Sequence, residues 1–276
     1  GTLDHIGGVD NFCWPNIGHD EKTNPDGSFK AAQLVRACRA LRDACMGYRI
    51  PLLSGKDSMY VDGHLEGAYG ERVKVSALET VQFSATSVVH DVTACLTLDP
   101  KAAGDFVYVA GLTRDELGGS EYYNLFGKTG LKVPRVDFEP FKVLYKTVEK
   151  AVERELLASC HAVARGGLGV HLSLMAMAGG LGMDIDLARV PVDSTQDLSN
   201  EALLFSESAG RFILTVSPEN RPVFEKLCKG LAVACVGQVT QDHDMLRIMG
   251  TSGASLADLS IQSLEAAFNK TFGDMI

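Results

Sequence analysis

Residues 50–58 read IPLLSGKDS, an apolar stretch that gives way to small and charged residues within a few positions. The apolar part predicts a short buried strand, and ligands in α/β folds usually bind where such strands end. Gly55 would let the backbone approach a ligand closely, and Lys56 offers a positive charge for a phosphate. Asp57 offers a hard oxygen for Mg²⁺, and Ser58 a hydroxyl donor. The alternative is a polar turn with a surface Lys–Asp pair, which the spacing alone favours because the Walker A pattern is absent.

The residues around this stretch predict a first part that is rich in strands. The opening, residues 1–27, reads as a loop apart from an apolar patch at 9–14, whose Trp14 is interpreted as a core residue. Apolar residues at helical spacing predict a helix over 28–45. β-branched and alternating residues predict strands at 73–77 and 82–90.

The character of the sequence changes near residue 99, which predicts two domains, 1–99 and 100–276. The second part alternates helices with strands, so the chain is predicted to be an α/β (α+β) protein of two layers. Helices are predicted at 140–157, 168–178, 222–228 and 263–268. Strands are predicted at 106–111, 183–187, 211–216, 232–239 and 245–249.

Composition excludes several classes of protein. The chain has 26 basic and 35 acidic residues, a formal charge of −9, which disfavours binding to nucleic acid in general. No apolar run approaches the ~20 residues that a membrane helix needs. Seven cysteines without a CxxC pair predict reduced thiols and a cytoplasmic location. The histidines show no metal-binding spacing. Because the chain begins Gly1-Thr2, we interpret it as a processed or expressed fragment.

Three further motifs are polar and rich in glycine or serine. Residues 160–169 read CHAVARGGLG, where the paired glycines predict either a phosphate-binding turn or close packing, with neither favoured. Neighbouring residues on a strand point to opposite faces, so a catalytic pair of Cys160 and His161 is not expected. In the stretch 205–211, FSESAGR, Glu207 and Arg211 predict either a ligand contact or a structural ion pair with each other, and the ion pair is favoured.

Taken in order, five motifs resemble phosphoribosylformylglycinamidine synthase of purine biosynthesis and, more distantly, the aminoimidazole ribonucleotide synthetase superfamily. They are VDNF at 9–12, PLLSGKDSM at 51–59, LGGSEY at 117–122, the glycine-rich turn at 161–169, and SESAGR at 206–211. The resemblance is to the second of the family's two homologous halves. It implies a β-rich first domain that forms half of a dimeric barrel, followed by an α/β sandwich domain.

The resemblance also implies the chemistry. In the family, ATP phosphorylates the formyl amide oxygen of formylglycinamide ribonucleotide, and ammonia from a glutaminase domain or subunit then displaces the phosphate. Motif by motif, it implies ATP binding at Asp10 and Gly55 and substrate binding at Ser58. The family's metal-binding position after the glycine is Lys56 here, so the metal role is assigned to Asp57. The catalytic histidine belongs to the first half, so no catalytic residue is assigned.

A departure from one family motif indicates a degenerate nucleotide site in the second domain. Many relatives read His-Asp-x-Ser-Asp-Gly-Gly, whereas this chain has Ala162, Ala164 and Arg165 at the Asp, Ser and Asp positions. Losing two carboxylates removes the negative charge that would hold Mg²⁺ and phosphate.

These observations leave three hypotheses open. The chain is a synthetase half that is inactive alone and completes an active site with its N-terminal half. Alternatively, it is a non-catalytic assembly half whose unpaired strands make the isolated fragment a homodimer. A third possibility is a related superfamily synthetase that acts on another phosphorylated substrate.

Overall fold

The computed structural model describes residues 5–193, 195, 197–240 and 244–273, so the Gly1-Thr2 start lies outside the described residues. The chain divides into two compact units between His90 and Asp91. The boundary was predicted farther along, near residue 99, and the assignment of 1–99 and 100–276 to two synthetase-like domains stays a prediction.

The first unit contains one helix and five strands. They are β1 (Ile6–Cys13), α1 (Gly27–Tyr48), β2 (Leu52–Ser58), β3 (Asp62–Glu66), β4 (Arg72–Ser76) and β5 (Thr80–Ser87). Three strands form a sheet with the order β2-β1-β5, in which β1 is parallel to β2 and antiparallel to β5, while β3 and β4 form a separate antiparallel pair. The predicted helix at 28–45 and the predicted strands at 73–77 and 82–90 are therefore confirmed, with small shifts in their ends.

Hydrogen bonds and an ion pair hold the start of helix α1 in place. The side chain of Trp14 is 3% exposed, as expected of a core residue, and its indole N–H donates to the carbonyl of Lys30 at 3.0 Å. The ammonium group of Lys30 is itself buried and contacts Asp26 at 2.9 Å and Asn24 at 3.0 Å. This pairing satisfies a charge that would otherwise be costly to bury.

Two expectations about residues 50–58 are wrong. Residues 54–58 do not form a loop after a strand but continue the strand β2 to Ser58, because they pair with Val9–Cys13 of β1. Nor is the strand buried: Leu52 and Leu53 are 46% and 64% exposed. Strand β2 lies at the edge of a small sheet, so its side chains have few neighbours.

The second unit is built on a seven-stranded mixed sheet. Its strands are β6 (Phe106–Ala110), β7 (Ser159–Val163), β8 (Gly182–Asp186), β9 (Arg211–Val216), β10 (Val233–Thr240), β11 (Met245–Met249) and β12 (Ser255–Ser260). Their order in the sheet is β12-β11-β8-β10-β6-β9-β7. Its helices are α2 (Glu121–Leu125), α3 (Phe138–Glu153), α4 (Gly167–Gly179), α5 (Asn200–Phe205), α6 (Arg221–Leu227) and α7 (Ile261–Gly273). The strands predicted at 211–216 and 245–249 are confirmed with the same bounds.

Two hydrophobic cores lie on opposite faces of this sheet. Alternation along β6 sends Val107 and Val109 to one face and Tyr108 and Ala110 to the other. The first core packs against α4, α5 and α7, and the second against α3 and α6. Helices on both faces of a mixed sheet confirm the predicted α/β (α+β) class, but they give this unit three layers, so the prediction of two layers is wrong.

Candidate functional site

The first candidate site lies where β1 and β2 run side by side. Asp10 is directly opposite Gly55 in the parallel register. A β-carbon added to Gly55 would lie 2.5 Å from Oδ1 of Asp10, which is closer than such atoms approach. The Asp10 carboxylate therefore occupies the space that the missing side chain leaves, and the two predicted ATP-binding residues are brought together.

The four predicted site residues are divided between the two faces of the sheet. Because side chains alternate along a strand, Asp10, Gly55 and Asp57 share one face. Lys56 and Ser58 share the opposite face, where the Lys56 ammonium group donates to the Ser58 hydroxyl. The sheet thus separates the predicted substrate residue from the predicted nucleotide and metal residues.

A cavity of about 840 Å³ lies on the Asp10 face, between the sheet and helix α1. Both carboxylates, Asp10 and Asp57, line it, as do Arg42 and Arg49. Most of the remaining lining is apolar. The cavity is within the range of ligand sites of small molecules, which combine apolar walls with a few polar groups.

The second candidate site is the glycine-rich turn between β7 and α4. One oxygen of Glu207, Oε1, accepts the N–H of Gly166 at 2.8 Å and the N–H of Glu121 at 2.9 Å. The N–H of Glu207 donates to the carbonyl of Glu116 at 3.4 Å. Beside them, Arg165 forms an ion pair with Glu121. Three loops that are distant in the sequence therefore meet at Glu207.

The predicted ion pair between Glu207 and Arg211 is wrong. Arg211 is 1% exposed and its guanidinium donates to the carbonyls of Ser206 at 2.5 Å and Ser208 at 3.0 Å, and to the hydroxyl of Thr113 at 2.8 Å. Burial lowers the pKa of Arg211 to about 10. The arginine thus acts as a donor for backbone oxygens, and Glu207 is left to accept from two other loops.

A pair of histidines lies beside the same turn. The N–H of Ala164 donates to Nε2 of His171 at 2.9 Å, so that nitrogen is an unprotonated acceptor. A neutral His171 must then carry its proton on Nδ1, which lies 2.7 Å from Nε2 of His161. Burial lowers the pKa of both imidazoles, and the proximity of His171 lowers that of His161 further.

This pair predicts a loss of stability in mild acid. A base whose pKa is lowered in the folded state contributes stability above its ordinary pKa, here 6.5, and loses it as the pH falls below that value. We expect the free energy of unfolding to fall by at most about 1.4 kcal/mol per pH unit for each histidine. Urea titrations at about pH 7.5, 6.5 and 5.5, which span the range in which histidine titrates, would measure this loss of stability.

The double variant His161→Asn/His171→Asn is the control for that titration. It removes both titrating groups, so its stability should vary less with pH than that of the parent chain. Equal pH dependence in the two proteins would contradict a role for the histidine pair.

The described part of the chain contains no group of three or more His, Cys, Asp or Glu side chains placed to hold a metal ion. No helix among the described residues is long and apolar enough to cross a membrane.

Comparison with known proteins places the chain in a family. The family model described as "AIR synthase related protein, C-terminal domain" matches residues 102–248, more than half of the chain. The chain belongs to this AIR synthase related family. Its matched region covers the strands β6 to β10, most of β11, and the glycine-rich turn.

The chain also resembles proteins of known sequence and structure. It is 34% identical over 218 residues to the phosphoribosylformylglycinamidine synthase subunit PurL of Methanocaldococcus jannaschii, a match over 78% of this chain and 29% of that protein. The chain therefore spans less than a third of the length of that relative.

Two solved proteins share the fold of this AIR synthase related chain at low sequence identity. The complex of Thermotoga maritima PurL with FGAR gives a TM-score of 0.64 and is covered over 39% of its chain, and the complex with ATP gives 0.61 and is covered over 37%. Both are 17% identical to this chain over 94% of its length. Escherichia coli HypE, a hydrogenase maturation protein, gives 0.57 at 15% identity, over 92% of this chain and 72% of that one. The AIR synthetase-like fold predicted from the motifs is confirmed.

Several residues at these sites were not predicted from the sequence. His171 and Glu116 gave no signal, because their partners lie on other elements. The helices α2 and α5 were also missed, although Ser120 and Ser199 cap them with hydroxyls that accept N–H groups at 3.3 and 3.2 Å. A serine with an acid in the first helical turn after it is a recognised helix-start signal and would have predicted both helices.

Proposed function

We propose that the chain is the C-terminal half of a phosphoribosylformylglycinamidine synthase and serves the ATP-dependent amidation of formylglycinamide ribonucleotide in the cytoplasm. The observation that carries this proposal is the 34% identity to the M. jannaschii subunit over 78% of the chain. The likeness in fold to PurL structures in complexes with FGAR and with ATP supports the choice of ligands.

In this proposal the cavity between α1 and the sheet takes the nucleotide. Asp10 lines the cavity and lies against Gly55 on the neighbouring strand, and the apolar lining suits a purine ring. Asp10 and Asp57 are two hard oxygen donors on one face, which fits Mg²⁺, since this ion is held by one or two carboxylates together with phosphate and water. Arg42 and Arg49 supply positive charge for phosphates.

The substrate would then contact the opposite face of β2, where Ser58 offers its hydroxyl. Bound ATP supplies the phosphoryl group that activates the amide oxygen. The residues of this chain would bind the two ligands on the two faces of one edge strand, and the N-terminal half would complete the site in which the ligands meet. The catalytic histidine would come from the N-terminal half of the synthetase.

The first unit also has sheet edges that suit a partner chain. In the described structure β2 and β5 each pair with β1 alone, so both edges of the sheet lack a neighbour. Val81 and Phe83 on β5 are 38% and 39% exposed. Open edges with apolar side chains favour pairing with another sheet, here that of the N-terminal half or, in its absence, a second copy of the fragment. A glutaminase subunit would supply the ammonia.

A reconstitution assay tests this proposal. The isolated chain is expected to show no ATP hydrolysis that depends on ammonia and formylglycinamide ribonucleotide. Addition of the separately expressed N-terminal half should restore turnover, and sedimentation should show the two halves in one complex. Turnover by the isolated chain would contradict the proposal, as would a complex without activity.

Two variants sharpen the assay. Asp10→Asn should lower reconstituted turnover by about tenfold or more, because it removes a carboxylate that would face the metal and phosphates. Asp115→Asn, an equal loss of charge in the second unit, should leave turnover unchanged. Equal effects of the two substitutions would contradict the assigned role of Asp10.

A further inference from the structure

A carboxylate of the chain itself, that of Glu207, is already bound at the glycine-rich turn. The N–H groups of Gly166 and Glu121 come from two separate loops and converge on a single oxygen of Glu207, at 2.8 and 2.9 Å. Converging backbone N–H groups of this kind form the anion-binding sites that proteins use for phosphates. Charge-assisted bonds to a carboxylate oxygen use the same donors in the same directions.

We propose that Glu207 closes this site to phosphate, because its carboxylate oxygen occupies the position that a phosphate oxygen would take between Gly166 and Glu121. The residue thereby determines that the second unit takes no phosphorylated ligand at its glycine-rich turn. This inference concerns a site other than the cavity at Asp10 and does not rest on the proposed function.

Hydrogen bonds to the two neighbouring residues, Ser206 and Ser208, fix the backbone that carries Glu207. The hydroxyls of Ser206 and Ser208 accept the N–H groups of Glu116 at 3.2 Å and Arg114 at 3.0 Å. The carbonyls of the same two serines accept from the buried Arg211. The turn that carries Glu207 is therefore fixed before any ligand arrives, which distinguishes this contact from that of a mobile surface side chain.

Competition then favours the internal carboxylate over a free anion. An intramolecular group has a high effective concentration, and the ordering that positions it has already occurred on folding. The neighbouring charges of Arg165 and Glu121 compensate each other in an ion pair, so Arg165 adds little attraction for a phosphate dianion. Removing Glu207 would leave two N–H donors without an acceptor.

The test compares the full chain with Glu207→Ala and Glu207→Gln, using inorganic phosphate as the probe and chloride at matched ionic strength. Glu207→Ala should have a lower Tm than the parent, and phosphate should raise it in a saturable way by about 3–6 °C. The parent should bind phosphate at least about tenfold more weakly. Glu207→Gln should also show no response, because its amide oxygen still accepts both N–H groups.

Glu153→Ala is the matched control, since it removes an exposed acid of the same unit away from the turn. It should behave like the parent. A phosphate response of the parent equal to that of Glu207→Ala would overturn the proposal, and so would the absence of any response in Glu207→Ala.

A second variant covers the case in which Glu207→Ala does not fold. Glu207→Ser is too short to reach both N–H groups, and its refolding yield can be measured with phosphate and with chloride. A higher yield in phosphate for this variant, but not for the parent, supports the proposal. Equal yields in the two salts contradict it.

Discussion

Replacing Arg211 with alanine is expected to lower the free energy of unfolding of the second unit by about 3–5 kcal/mol. The guanidinium donates to two carbonyls and one hydroxyl, and the residue is 1% exposed. Its removal leaves these oxygens buried without donors, and each such loss costs about 1–3 kcal/mol. It also leaves a cavity in a packed interior.

The measurement must report on the second unit. The only tryptophan, Trp14, lies in the first unit, so its fluorescence follows that unit and serves as an internal reference. Far-UV circular dichroism in urea follows both units together, and hydrogen exchange of β9 amides follows the second unit alone. A difference between Arg211→Ala and the parent below about 1 kcal/mol would contradict the assignment.

Arg189→Ala is the control for that comparison. Arg189 is exposed and bonds Asp186 at 3.2 Å on the surface. Surface ion pairs contribute little, so the expected change is within about 0.5–1 kcal/mol. Arg211→Lys is informative as well, because it keeps the charge but lacks the planar fork that reaches three acceptors. We expect it to recover little of the lost stability.

The second large effect is expected at Gly167. Gly167→Ala should destabilise the second unit by about 2–4 kcal/mol. The residue has φ of 72°, a left-handed conformation that suits glycine. A β-carbon there would also lie 2.7 Å from the carbonyl oxygen of Leu204 and 2.8 Å from the backbone of Phe205. Backbone atoms cannot move aside cheaply, so the start of α4 must shift away from the end of α5.

Gly180→Ala separates the two causes. Gly180, at the other end of α4, also has a positive φ, 59°, but a β-carbon there would meet nothing within 4 Å. It should therefore show the conformational cost alone, about 1 kcal/mol. Urea titrations of both variants give the comparison. Equal losses would mean that the close approach at Gly167 contributes nothing, which contradicts the packing role.

The outcome at Gly167 also answers a question that the sequence left open. From the residues, the paired glycines were as consistent with phosphate binding as with close packing. The structure shows a close backbone approach at Gly167 and the internal carboxylate of Glu207 at Gly166. These contacts favour packing at the turn, in agreement with the proposed closure of its anion site by Glu207.

The sequence by itself determined the class of fold and the positions of most elements. Strands β9 and β11 could be predicted with their bounds because β9 is a short, mostly apolar buried run and β11 alternates in burial. The ordered motifs were sufficient to predict the AIR synthetase-like fold. They did so because a family's motifs preserve local backbone requirements, such as a glycine where another residue approaches closely.

Only the tertiary structure decided which side chains meet. Residues 54–58 became strand because β1 offers them hydrogen-bond partners, which places Ser58 on the face opposite Asp10 and Asp57. Glu207 accepts from loops 41 and 86 residues away, and so does not pair with Arg211 four residues on. Contacts between distant segments depend on how the sheets and loops pack, and spacing along one chain carries no record of that packing.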